Sequence, residues 1–164
     1  MKRTLLALSV FIGLIIGFAS NAYSAAAPVI ITAGDPEAIF EIAKGCGPAE
    51  LSTDKYGDPK ITGKIEGGRA YILTFFGCKE NKNCKAIQFT SYWEGYKVSA
   101  EDVAKWSWES GGLAKARLDS DNDPWLKMRL NLDKGVTREN LIDNFAWWIV
   151  LTENFEEKVL NIKK

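Results

Sequence analysis

Ala70-Tyr-Ile-Leu-Thr-Phe-Phe-Gly-Cys78, the connector Lys79-Glu-Asn-Lys-Asn83, and Cys84-Lys-Ala-Ile-Gln-Phe-Thr-Ser-Tyr-Trp93 decide how this chain folds. Two β-branched and aromatic runs around a polar, Asn-containing connector specify a β-hairpin. With Cys78 set opposite Cys84, Phe75 faces Ile87, Leu73 faces Phe89 and Tyr71 faces Ser91. Side chains alternate along a strand, so Leu73, Phe75, Ile87 and Phe89 form one apolar patch for helices to cover. Thr74, Phe76, Gln88, Thr90 and Tyr92 share the other, more mixed face. The register that joins the sulfurs also sorts the faces.

Upstream, Asp35-Pro36 reads as a helix N-cap and first-turn proline, with Glu37 at the positive end of the dipole. Ala38, Ile39, Ile42 and Ala43 recur at helical spacing, and Gly45 stops the run. Short strands over 50–53 and 60–65 join through Tyr56-Gly57-Asp58-Pro59, and Glu66-Gly67-Gly68 leads into the hairpin. Downstream, Ser99-Ala100-Glu101-Asp102 starts a second helix with Val103, Trp106 and Ser110 on one side; Gly111-Gly112 closes it. Ala114, Ala116 and Leu118 then alternate with Lys115 and Arg117. Leu126, Met128, Leu130 and Leu132 alternate with Lys127, Arg129 and Asn131. This second hairpin has one buried face and one cationic, wet face.

Gly135 and Thr137 precede a last helix, in which Leu141, Ile142, Phe145, Trp148, Ile149, Phe155 and Val159 keep helical spacing. Trp147, Val150 and Leu151 widen that stripe beyond what one sheet face needs. The helix is expected to pack on two sides, against its own sheet and against a partner such as a second protomer. The order α-βββ(β)-α-ββ-α predicts an α+β fold, with a single antiparallel β-sheet of about five to six strands and three helices.

At 164 residues the chain has room for one domain of ordinary size. Lys2 and Arg3, an apolar run over 5–18 and small residues over 22–27 make the pattern of a cleaved secretory signal peptide. The expected organisation is a leader over 1–24, a short flexible tail over 25–32 and the domain over 33–164. Cleavage after Ser24 or after Ala26 fits equally. The apolar run is short for a membrane span, so no stable anchor is expected after cleavage. Loss of Lys2 and Arg3 from a balance of 21 basic and 21 acidic residues leaves a slight acidic excess, which favours neither nucleic acid nor an anionic membrane. Export to a periplasmic or extracellular space is oxidising, so Cys78 and Cys84 are expected to pair. A zinc site fails for want of ligands, because the chain has no histidine and Cys46 is the only other thiol. Cys46 is left as either a buried free thiol or an intermolecular link.

The lack of histidine also removes serine–histidine and cysteine–histidine devices. No serine sits in a nucleophile turn. Gly57 to Lys64 superficially resembles a phosphate loop, but its glycines are one residue too far apart and Ile65 stands where a hydroxyl must meet magnesium. Asp119, Asp121 and Asp123 match the first half of a calcium loop; Pro124 then replaces the turn glycine and Leu130 the bidentate glutamate. A hairpin connector with Asp and Asn bonded to their own backbone explains the stretch as well. Of the six tryptophans, Trp106 and Trp148 fall on core stripes. Trp108 and Trp147 lie off them and, with Trp125, are the candidate partner-binding residues.

These segments together resemble the YbjN-like family of bacterial proteins, in an exported two-cysteine branch. The resemblance is carried by Gly57-Asp-Pro-Lys-Ile61, Phe75-Phe-Gly-Cys78 with Cys84-Lys-Ala-Ile-Gln-Phe89, Asp119-Ser-Asp-Asn-Asp-Pro124, Asn131-Leu-Asp-Lys-Gly135-Val and Phe145-Ala-Trp147-Trp148, and it covers 33–160. It implies a fold similar to the chaperones of type III secretion, which are compact α+β domains, usually dimeric, that bind stretches of other polypeptides. It also implies a sensory-transduction-regulator label, and it brings no catalytic residue and no cofactor. The expectation is a non-enzymatic periplasmic domain that binds a protein or peptide; the alternative is a small-molecule or calcium binder using Asp119–Asp123.

Overall fold

The Cys78–Cys84 disulfide closes the central hairpin, and the ladder behind it pairs Phe75 with Ile87 and Leu73 with Phe89, the register that sorts the faces. The structure, a computed structural model, describes residues 27–65 and 67–162. Inside the disulfide ring, Lys79 and Lys82 exchange backbone hydrogen bonds, and both residues between them have positive φ, Glu80 at 51° and Asn81 at 62°. That is a type I′ turn, whose twist matches the flanking strands. The Asn81 amide donates to the Tyr56 carbonyl and to Asp58, which ties this turn to the preceding one.

In chain order the elements are β1 (Ile30–Ile31), α1 (Pro36–Gly45), β2 (Ala49–Thr53), β3 (Pro59–Lys64), β4 (Ala70–Phe76), β5 (Ala86–Tyr92), α2 (Ala100–Glu109), β6 (Lys115–Leu118), β7 (Pro124–Asn131), β8 (Val136–Thr137) and α3 (Arg138–Lys158). Six strands form one antiparallel sheet in the order β2-β3-β4-β5-β7-β6. The three helices cover one of its faces, so the α+β architecture expected from the sequence is the one observed. Phe89 meets Phe145 edge-on at 4.8 Å and stacks on Trp148 at 5.3 Å, which seats α3 across the hairpin. No described helix is long and apolar enough to cross a membrane.

Local chemistry sets the helix starts. Asp35 accepts from the Ala38 N–H, Ser99 from the Asp102 N–H and Thr137 from the Asn140 N–H, the three N-caps read from the sequence. Ser110 departs from its expected place on the inner side of α2: it ends the helix, its N–H returning to the Trp106 carbonyl.

The tail expected over 25–32 needs correction at its far end. Ile30 and Ile31 pair with Thr137 and Val136 as a separate two-stranded sheet, and the Arg138 N–H donates to the Val29 carbonyl at 2.8 Å. Gly135, at φ 80°, allows this approach: a Cβ there would stand 2.4 Å from Ile30 Cγ2. The leader expected over 1–24 lies outside the described residues.

A buried ionic contact pins the end of α3 to the sheet. Glu156 is 6% exposed and accepts from Arg69 Nε and from the Trp93 indole N–H. Arg69 also reaches Glu153 at 3.4 Å. A buried carboxylate costs several kcal/mol unless such donors meet it, roughly 3–5 kcal/mol when one partner is removed.

Candidate partner-binding surface

The over-wide stripe of α3 divides between two sides. Leu141, Phe145, Trp148, Leu151 and Phe155 are buried against the sheet and α2. Ile142, Trp147 and Val150 face solvent, at 39%, 48% and 53% exposure. On α2, Val103 and Trp106 turn inward and Trp108, two positions on, is 87% exposed. The helical period does this: two residues carry a side chain through about 200°, so neighbours of a core tryptophan point away from it.

Trp106 fixes how the two helices meet. Its indole N–H donates to Asn154 Oδ1 at 2.8 Å, and its ring meets Phe155 edge-on at 5.0 Å. Between the helices lies a cleft of about 220 Å³ lined by Trp106, Glu109, Ser110, Trp147, Val150 and Lys158, among others. One side is aromatic and aliphatic, and the rim carries charges of both signs. Trp108 and Trp147 are thus exposed on adjoining helices, as their position off the core stripes implied.

Trp125 is elsewhere. It alternates with Leu126 and Met128, which are buried under the helices, so its ring lies on the opposite, open face of the sheet. Lys127 Nζ sits 3.4 Å from the ring centroid, a cation–π contact. The three candidate tryptophans therefore do not form one site.

The acidic loop is brought together, and its oxygens are engaged. Asp119 Oδ1 accepts from the N–H groups of Asp121 and Asp123, both at 2.9 Å. Asp123, 5% exposed, accepts from the Gly95 N–H at 3.0 Å, Lys97 Nζ at 3.3 Å and the Tyr92 hydroxyl at 3.2 Å. Burial alone would raise the Asp123 carboxyl; those donors outweigh it and hold the group below its ordinary value. Desolvation of its hydroxyl against the acidic loop, then the hydrogen bond to Asp123, push the half-exposed Tyr92 up to about 12. Lys97 also reaches the Asp121 carbonyl at 3.0 Å, so an ammonium supplies the positive charge these oxygens surround. A calcium ion would have to displace it. Among the described residues no group of three acids or thiols is placed to hold a metal ion.

The buried polar groups serve the scaffold. Ser91 donates to the Ala70 carbonyl, Thr152 to the Trp148 carbonyl, and Glu156 and Asp123 hold the contacts given above. Cys46 packs half-buried against the core, and burial pushes its thiol above the ordinary value, away from thiolate reactivity. Sequence reasoning missed Glu156, since nothing local marks a helix glutamate as buried.

A family model named YbjN, described as "Putative bacterial sensory transduction regulator", matches residues 35–161. The chain belongs to the YbjN family. No curated protein sequence matches this YbjN chain. Among solved structures it is similar to the type III secretion chaperone SycH of Yersinia pestis, determined in complex with a stable fragment of YscM2. The two share 15% identity at a TM-score of 0.45, over 70% of this chain and 92% of that one.

Proposed function

We propose that this YbjN domain is a non-enzymatic regulatory protein of the cell envelope that holds a segment of another polypeptide against its α2–α3 face. The carrying observation is the set of large apolar side chains left open on two helices whose inner sides are locked: Trp108, Trp147, Val150 and Ile142. Trp147 and Val150 line the cleft and Trp108 stands outside it on α2. Exposed tryptophans are among the side chains most often responsible for interface affinity, a hot-spot residue being worth about 2 kcal/mol or more when truncated. The mixed charges of Glu109 and Lys158 at the cleft suit a polypeptide better than an apolar small molecule. Assignment to an oxidising envelope compartment rests on the leader pattern over 1–24 and agrees with the Cys78–Cys84 link. The non-enzymatic reading rests on the lack of histidine and on buried polar groups committed to the scaffold.

A photo-crosslinking residue placed at position 147 or 108 tests the reading in intact cells. The expected result is a discrete adduct from both positions and none from position 56, where Tyr56 is 73% exposed far along the chain. Equal adducts from all three positions, or none from any, would refute it. An adduct of twice the chain mass would identify the partner as a second copy, and sedimentation of the purified protein would then show a dimer.

A further inference from the structure

The open face of the sheet is polar over most of its width and cationic at one end. The ladders set Lys115 opposite Lys127, Arg117 opposite Trp125 and Arg129 opposite Gln88. Alternation puts all six on the face away from the helices. They line a cavity of about 440 Å³, the size of a small-molecule site, and no carboxylate lines it.

Among the described residues no acid compensates the charges in this cavity. Some surface lysines elsewhere meet acids, Lys97 with Asp123, Lys44 with Glu41 and Lys85 with Asp133. Among the described residues none of Lys115, Arg117, Lys127 and Arg129 takes part in an ion pair. Two of them are held against the sheet: Lys127 lies on the Trp125 ring, and Arg129 lies 4.0 Å from the centre of the Phe76 ring. Like charges directly opposite in a ladder destabilise it, and Lys115 with Lys127 is such a pair. Burial, then the neighbouring Arg117 and Arg129, pull the Lys127 ammonium below its ordinary value. An arrangement that costs folding energy and points convergent donors into a concavity is complementary to negative charge.

We infer that this cavity binds a small polyanion, a phosphoester or polycarboxylate, held by Lys115, Arg117, Lys127 and Arg129 over Trp125. The two arginines supply planar forks for paired oxygens, the lysines supply point charges, and Gln88 adds an amide. The site lies on the opposite side of the sheet from α2 and α3, so it stands independently of the polypeptide reading.

Titration calorimetry and tryptophan fluorescence of the purified protein with sodium pyrophosphate and with sodium citrate test it. Saturable binding of either anion, one per chain, is expected, weakened about tenfold or more in the Lys127→Gln/Arg129→Gln variant. The melting temperature of that variant without anion is expected to equal or exceed the wild-type value, because like-charge repulsion is removed. Lys115→Gln, at an exposed edge-strand position, gives a milder loss and serves if the double variant does not fold. Preference for pyrophosphate marks a phosphoester ligand and preference for citrate a polycarboxylate; both uphold the site. Failure of both anions to saturate at millimolar concentration overturns it, as does wild-type affinity in a folded variant. Binding of a glutamate-rich peptide with neither small anion bound overturns the small-ligand assignment.

Discussion

Gly63→Ala separates a steric requirement from a backbone one. Gly63 lies on β3 directly opposite Tyr71 on β4. Its φ is outside the left-handed region, so alanine fits the backbone there and on entropy alone should stabilise the protein by roughly 0.4–1 kcal/mol. The side chain decides otherwise. A Cβ at this position would stand 2.6 Å from both Cζ and Oη of Tyr71 and 2.8 Å from its Cε1. Tyr71 is 2% exposed and boxed by Phe89 at 6.2 Å and Phe145 at 6.4 Å between ring centres. Its hydroxyl has no hydrogen-bond partner among the described residues, and burial pushes that hydroxyl above its ordinary range. The ring cannot swing into solvent without opening the sheet–helix contact. Overpacking of a filled core costs about 1–3 kcal/mol. Set against the entropic gain, the net loss centres on about 1.3 kcal/mol and reaches at most about 2.5 kcal/mol, a fall in Tm of roughly 3–5 °C at the central value for a domain of this size.

The assay is urea unfolding followed by tryptophan fluorescence, with circular dichroism for the melt. The midpoint should fall with its slope unchanged. Tyr71→Leu removes the clashing atoms and by itself costs about 2–4 kcal/mol. Adding Gly63→Ala to that variant should then be neutral or stabilising. A single Gly63→Ala variant as stable as wild type, or an equal penalty in both backgrounds, would refute the steric argument.

Other outcomes follow from the remaining contacts. Cys78→Ala/Cys84→Ala, or reduction of the disulfide, should cost about 1–2.5 kcal/mol by loop entropy, the lower end because the type I′ turn and Asn81 already order the ring; urea midpoints with and without reductant check this. Glu156→Ala should cost about 1–3 kcal/mol by removing the buried acceptor that the half-buried Arg69 and Trp93 share, with Arg69 keeping Glu153, and a shift under about 1 kcal/mol in the same assay would contradict the buried network. The Tyr92–Asp123 pair predicts losses at both ends of the pH scale. Asp123, lowered on folding, stabilises above the ordinary carboxylate range, and that stability disappears as pH falls through its folded value. Tyr92, raised to about 12, stabilises below the ordinary tyrosine value of about 10 and loses that contribution as pH rises toward 12. Melts of Tyr92→Phe and Asp123→Asn across pH should flatten the alkaline and acid limbs respectively.

What the chain discloses on its own depends on how local the cause is. The hairpin was legible because one choice, sulfur opposite sulfur, also fixed Phe75 against Ile87. The caps at Asp35, Ser99 and Thr137 were legible because an N-cap acts within three residues. The β1–β8 pair was not, since two residues per strand carry no period. Glu156 was not, because its donors Arg69 and Trp93 lie 87 and 63 positions away. On the candidate surface, Trp108 and Trp147 could be read as exposed from their offset to the core stripes. Alternation put Lys115, Arg117, Lys127 and Arg129 on a wet face; the convergence of β5, β7 and β6 around Trp125 depends on strand order, which no local pattern states.

The claim that polypeptide is held on the α2–α3 face is tested most directly by titrating the partner recovered by crosslinking against wild-type protein and against Trp108→Ala/Trp147→Ala. Loss of affinity by about a hundredfold or more, with an unchanged melting temperature, is the predicted result. An unchanged Kd in the double variant would contradict the account.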